Sequence, residues 1–260
     1  MAVCVFPAMG LAGAVLLSNA AAAQSSGAGK PFEIPPECQV AIPPVIGTRT
    51  LTAVHEALTK GKLRILAIGS SSTVGVGASF AAATYPARLQ ERLRGIFGSK
   101  QITVINRGIS GETALGAAAR MQREVTNAKP DVVIWQLGTN AALHDVQLSR
   151  LIATVQRTVR WVRSQGIAMI FIDPQFVNIH KDNAHYGRTV DALTGLAEQE
   201  SIVLVRRYAS MRDIARRRRL DLYLAKDRFH LNDLGYRCMA AYATHAIVKA
   251  SEARTKITLD

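Results

Sequence analysis

Cysteine is scarce in this chain: three occur in 260 residues, and none stands in a Cys-x-x-Cys pair or among clustered histidines. A structural metal site needs ligands in such tight groups, so the spacing points to no metal, and no motif implies a cofactor. Acidic side chains are also few, 19 against 32 Lys and Arg, leaving a formal net charge of +13. Aromatics make up only 6% of the chain. Without a zinc-finger spacing or an aromatic RNA-binding signature beside the positive charge, nucleic acid is not an expected partner. No internal repeat stands out, which argues against a solenoid. Long apolar runs are missing as well: the apolar core near the N-terminus, Gly10–Leu17, is too short to span a membrane.

What is present suits one large globular domain, with 48% hydrophobic and 20% charged residues. Residues 1–23 carry no charged side chain and end Ala21-Ala22-Ala23, the pattern of a signal peptide cleaved before Gln24. The expected location is therefore secreted or periplasmic, with no membrane span after cleavage. Cleavage removes Cys4 and leaves Cys38 and Cys238. These two form either one disulfide or two separate buried thiols. Residues 24–50, with Pro31, Pro35, Pro36, Pro43 and Pro44, read as a Pro/Gly/Ser-rich arm preceding a domain over residues 51–260.

Within that domain strands and helices alternate. A first helix is predicted over Leu51–Lys60, then strand Leu63–Ile68, helix Tyr85–Phe97, strand Ile102–Asn106 and helix Ala114–Asn127. Strand Val132–Leu137, helix Leu148–Ser164, strand Ala168–Ile172, helix Tyr186–Gln199 and strand Ile202–Val205 follow. A short basic helix and a last helix over Asp233–Ser251 complete the series. Continuous apolar strands such as "DVVIWQL" and "AMIFID" are those of a parallel sheet covered on both faces. The fold class read from this order is α/β: a doubly wound three-layer sandwich around a five-stranded, mostly parallel sheet.

Such sheets bind ligands at the carboxyl ends of their strands. Four polar segments follow strands there: "GSSSTVG" from Gly69, "NRGISGET" from Asn106, "GTN" from Gly138 and "DRFHLND" from Asp227. Taken together and in order, they resemble the motif blocks of the SGNH hydrolases, the GDSL esterase and lipase family, over most of the span from Leu63 to Ala250. The resemblance implies a metal-free serine ester hydrolase with Ser71 as nucleophile and Asp227 and His230 completing a triad. It also implies an oxyanion hole of Ser71, Gly111 and Asn140. A serine hydroxyl needs a base to take its proton, and a carboxylate three residues from the histidine can orient that base. Two departures stand out: Ser70 replaces the Asp usual before the nucleophile, and Ala141 replaces the Asp often found after the asparagine. The first leaves Ser70 and Ser72 as competitors for the nucleophile role.

Bland readings exist for each motif. Ser70–Thr73 could cap a helix, Asn140 could turn a loop, and Asp227 could cap beside a packed His230. The remaining histidines are read as helix residues (His55, His245) or loop residues near the cleft (His144, His180, His185), and Trp135 and Trp161 as core. Short polar loops after the strands favour a small acyl group, such as acetyl on a carbohydrate. The competing readings are a lysophospholipase or thioesterase-type lipolytic enzyme, and a non-catalytic polyanion-binding envelope protein on a degenerate hydrolase scaffold. The arginine run Arg206–Arg219 is by default a solvated helix face, with an acidic polymer as its alternative partner.

Overall fold

The computed structural model describes residues 1–4, 32–47, 51–176, 178 and 182–252. Most of the expected signal segment, the first part of the arm and His180 lie outside the described residues. A single six-stranded sheet organises the rest, in the order β1-β6-β5-β4-β2-β3. Its strands are β1 (Val45–Ile46), β2 (Lys62–Gly69), β3 (Gln101–Gly108), β4 (Val132–Gln136), β5 (Ala168–Ile172) and β6 (Val203–Val205). All pairings are parallel except β1 with β6. The nine α-helices among the described residues are α1 (Thr52–Thr59), α2 (Ser71–Val74), α3 (Tyr85–Phe97), α4 (Ala114–Ala128) and α5 (Thr139–Leu143), then α6 (Leu148–Ser164), α7 (Ala184–Gln199), α8 (Arg207–Arg217) and α9 (Asp233–Glu252).

The period-2 alternation of each strand distributes its residues between two cores. Leu63, Ile65, Ala67, Ile134, Ile170 and Val203 face a layer that contains α1, α3 and α9. Leu66, Ile68, Val133, Trp135, Phe171 and Leu204 face the layer of α4, α6 and α7. Helix α6 meets that second core through Leu151, Val155, Val159 and Val162, spaced as one stripe of an α-helix. Trp135 is wholly buried there, edge-on to Phe171 at 6.1 Å. The result is the expected doubly wound, three-layer sandwich.

The sheet has six strands where five were expected. The additional strand comes from the arm, whose Val45 and Ile46 pair with Val205 and Leu204. Two residues following Pro43-Pro44 give little period-2 signal in sequence, and proline confines such a segment to a sheet edge. The arginine run explains why the arm lies there. Arg218 donates to the carbonyls of Pro36 (3.0 Å) and Glu37 (2.7 Å), and Arg217 donates to the Gln39 carbonyl and pairs with Asp213. Asp213 in turn accepts the Ala41 N–H at 2.9 Å. Arg219 pairs with Asp221, and the Arg212 guanidinium lies 5.7 Å from the Tyr208 ring centroid. Much of the run is thus engaged within the chain, largely in holding the arm.

Cys38 and Cys238 form a disulfide between the arm and α9, across 200 residues of sequence. Of the two arrangements left open by the sequence, the bonded one is present. A native disulfide typically contributes about 2–4 kcal/mol, in the chain-entropy account by constraining the unfolded chain. Thiol titration of the denatured, unreduced full chain should therefore find one free thiol, Cys4, rising to three after reduction. Three thiols before reduction would contradict the bond.

Candidate active site

Strand β2 is where the winding of the sheet reverses: β3 pairs on one side of it and β4 on the other. In an open α/β sheet this switch point leaves a crevice at the carboxyl ends of the two strands. Ser71 begins α2 directly after β2, and Asn140 lies in the first turn of α5 directly after β4.

The three adjacent serines have three different environments. The backbone N–H and hydroxyl of Ser70 both donate to Gln136 Oε1, at 3.0 and 3.1 Å, and the Thr73 hydroxyl donates to the same atom at 3.3 Å. Ser72 Oγ accepts from Arg207 at 3.0 Å. Ser71 Oγ instead lies 3.1 Å from His230 Nε2, and His230 Nδ1 lies 2.6 Å from Asp227 Oδ2. The capping alternative fails at Ser70, whose side chain makes no cap hydrogen bond to α2.

Asp227 does its local work with the other oxygen. Its Oδ1 accepts the N–H groups of Phe229 and His230, both at 3.0 Å, which folds the turn so that the i and i+3 side chains meet. Arg228 takes a left-handed conformation (φ 56°) to close that turn. Burial pushes the Asp227 carboxyl up, but the hydrogen bonds from the His230 ring and from the Phe229 and His230 N–H groups outweigh it and hold the group below the usual carboxylate range. The turn is anchored at both ends. Gln175 Nε2 donates to the Phe229 carbonyl at 3.0 Å, and Asn232 caps α9 by accepting from Leu234 and Gly235.

Gly111 lies exposed in the loop between β3 and α4 with φ +76°, and nothing lies within 4 Å of where a Cβ would sit. Asn140 Nδ2 donates one N–H to the Glu112 carbonyl at 2.9 Å, which leaves its second N–H for another acceptor. The Glu112 carboxylate is itself gripped by Arg120 at 2.7 and 2.6 Å, and Arg120 also donates to the Arg107 carbonyl. Next to this loop, Gly108 allows α2 to pack against β3, since a Cβ there would meet the Val74 nitrogen at 2.3 Å. Asn106 fastens the same junction by donating to the Thr73 carbonyl at 2.7 Å.

Motif reasoning missed three residues that shape the site: Gln136, Asp173 and Arg207. Gln136 was visible as the polar end of an otherwise apolar strand, "VVIWQ". Asp173 closes "AMIFID"; burial pushes its carboxyl up to about 7, against the Tyr208 N–H and the Arg207 charge. Arg207 was hidden in the basic run. Of the other histidines, His55 and His245 are in helices, His144 is exposed at the end of α5 with its backbone N–H on the Asn140 carbonyl at 3.0 Å, and His185 belongs to the first turn of α7 rather than to a loop. Trp161 is partly buried against the second core. Among the described residues no group of His, Cys, Asp or Glu could hold a metal ion.

Gln136→Leu would strip the acceptor from the buried Ser70 N–H and from the Ser70 and Thr73 hydroxyls. Stability should fall by about 1–3 kcal/mol, read from the denaturant midpoint at unchanged slope. An unchanged midpoint would mean that the turn does not depend on this bond.

The model of the Non-GDSL lipase-like family matches residues 37–253. The structure resembles Axe2, an acetylxylan esterase from Geobacillus stearothermophilus, with a TM-score of 0.63 and 23% identity over 71% of this chain and 94% of that one. It resembles the lipase/acylhydrolase from Enterococcus faecalis with a TM-score of 0.62 and 20% identity, covering 71% of this chain and 95% of the other. A two-domain esterase (CEX) active on acetylated mannans gives a TM-score of 0.67 and 22% identity over 82% of this chain, which spans 57% of that protein. At these identities the likeness is one of fold. No curated protein matches the chain. With a family match that takes in all six strands and all four polar segments at the sheet edge, the chain belongs to the Non-GDSL lipase-like family, among the carboxylic ester hydrolases of SGNH type.

Proposed function

We propose that this chain is an exported serine esterase that removes short acyl groups, acetyl on a carbohydrate foremost, from their esters. One observation carries the reading: Ser71 Oγ, His230 and Asp227 form a continuous hydrogen-bonded chain at 3.1 and 2.6 Å. In the first step His230 Nε2 takes the Ser71 proton as Oγ attacks the ester carbonyl, and Asp227 stabilises the resulting imidazolium. The oxyanion formed would be met by the N–H groups of Ser71 and Gly111 and by the second N–H of Asn140 Nδ2. Collapse of the adduct passes the proton from His230 to the leaving alcohol and leaves an acyl-Ser71. Water, deprotonated by the same imidazole, then releases the acid and restores Ser71.

Carbohydrate ester as substrate draws support from the fold likeness to an acetylxylan esterase and to an esterase active on acetylated mannans. Export draws support from the uncharged, alanine-ended leader and from the Cys38–Cys238 disulfide, which suits an oxidising compartment. Nothing in the site favours an acidic polymer at Arg206–Arg219, because Arg207, Arg217, Arg218 and Arg219 are engaged within the chain.

Ser71→Ala should abolish release of nitrophenol from nitrophenyl acetate, and a fluorophosphonate should label Ser71 in the parent. A label on Ser70 or Ser72 would overturn the assignment. Asn140→Ala should lower kcat by about 10²–10³-fold, the usual loss for one oxyanion donor. Rates should also fall steeply from acetyl to octanoyl esters, since a long chain gains about 0.8 kcal/mol per methylene only where a groove buries it. Faster turnover of octanoyl esters would favour the lipolytic reading instead.

A further inference from the structure

We propose that Arg207 is a positioning residue for ester hydrolysis, holding the nucleophile turn and the asparagine turn in one mutual register. The inference rests on the esterase reading above.

Arg207 is the first residue of α8, immediately beyond β6, yet its side chain reaches along the carboxyl edge of the sheet. Nε donates to the carbonyl of Asp173 after β5 (3.1 Å), one terminal nitrogen to Thr139 Oγ1 after β4 (3.3 Å), and the other to Ser72 Oγ after β2 (3.0 Å). One guanidinium therefore ties together the ends of four neighbouring strands, β6, β5, β4 and β2. Two of its three acceptors adjoin groups assigned to the chemistry: Ser72 follows Ser71, and Thr139 precedes Asn140. The nucleophile and its side-chain oxyanion donor are thus fastened to a single rigid plane. A fork of fixed geometry can do this, whereas the point charge of lysine cannot satisfy three divergent acceptors.

Burial makes the arrangement costly to keep for stability alone. Arg207 is 2% exposed, and it borders an apolar pocket lined by Met211, Ile214, Leu220 and Leu231. Taking a cation out of water costs free energy that its hydrogen bonds must offset. Its acceptors, moreover, are two hydroxyls and a carbonyl, groups chosen by position rather than by charge. Displacing reacting groups by about an ångström can cost roughly 10²-fold in rate, so a device that sets the Ser71–Asn140 distance acts on kcat.

The test uses the full chain, nitrophenyl acetate and steady-state kinetics. Ser72→Ala and Thr139→Val each remove one acceptor and should lower kcat about tenfold or more with KM within about twofold, the pattern of a lost transition-state interaction. Thr139→Ser, which keeps the hydroxyl, should recover most of that loss. Val159→Ala, a core truncation in α6, should lower the melting temperature and leave kcat unchanged, which separates positioning from general destabilisation. In an Arg207→Met background, Ser72→Ala should cost nothing further, because its partner is already gone. If Arg207→Met does not fold, the Ser72 and Thr139 variants still decide. The proposal is overturned if Ser72→Ala and Thr139→Val both keep kcat within about twofold of a parent that hydrolyses the ester and labels at Ser71. A parent that neither hydrolyses nor labels rejects the esterase reading itself, a different failure.

Discussion

Parallel pairing of β2 with β4 is the constraint from which the site follows. Ile65 to Ile68 lie opposite Val132 to Trp135, so the two strands end at the same height, and their chains continue into α2 and α5. β3 pairs on the other side of β2, with Gly69 opposite Gly108, and delivers the Gly111 loop to the same edge. Three segments that are distant in sequence reach one crevice because the sheet reverses its winding at β2. The Asp227–His230 turn then arrives from the far end of the chain, placed by the packing of α9 against the first core.

At that edge, hydrogen bonds decide which groups are held and which face outward. Gln136 gathers Ser70 and Thr73 inward, Arg207 takes Ser72, and Asn106 secures the Thr73 carbonyl. What remains is Ser71, facing an imidazole. Where the usual Asp would offer only acceptors, the Ser70 hydroxyl has a proton to donate to the amide oxygen that its own N–H already reaches. The buried polar groups are costly unless paired, and pairing them specifies one geometry for the turn.

The positive charge of the chain has a structural side that its composition conceals. Arginine suits this use because it can donate to several carbonyls at once while its stem packs along apolar surface. Arg217 and Arg218 bind the arm by its backbone, and the Cys38–Cys238 bond and the Tyr242 hydroxyl on the Cys38 carbonyl (2.6 Å) fasten it from the other side. The arm in turn covers the β6 edge, which would otherwise present unpaired backbone groups.

Sequence by itself determined the sandwich, because doubly buried parallel strands must be continuous apolar runs and the helices between them must carry one apolar stripe. It also determined the four polar segments, since only a few residue types can serve as nucleophile, base and oxyanion donor at a strand end. Two residues of β1 were illegible: a strand that short has no periodicity, and its place depends on arginines some 170 positions later. The choice among Ser70, Ser71 and Ser72 was equally a tertiary matter, as three identical side chains differ only in whether Gln136, His230 or Arg207 stands opposite. Arg207 itself looked like one more solvated cation in a basic run. Its burial along four strand ends was decided by the sheet order, which no local pattern encodes.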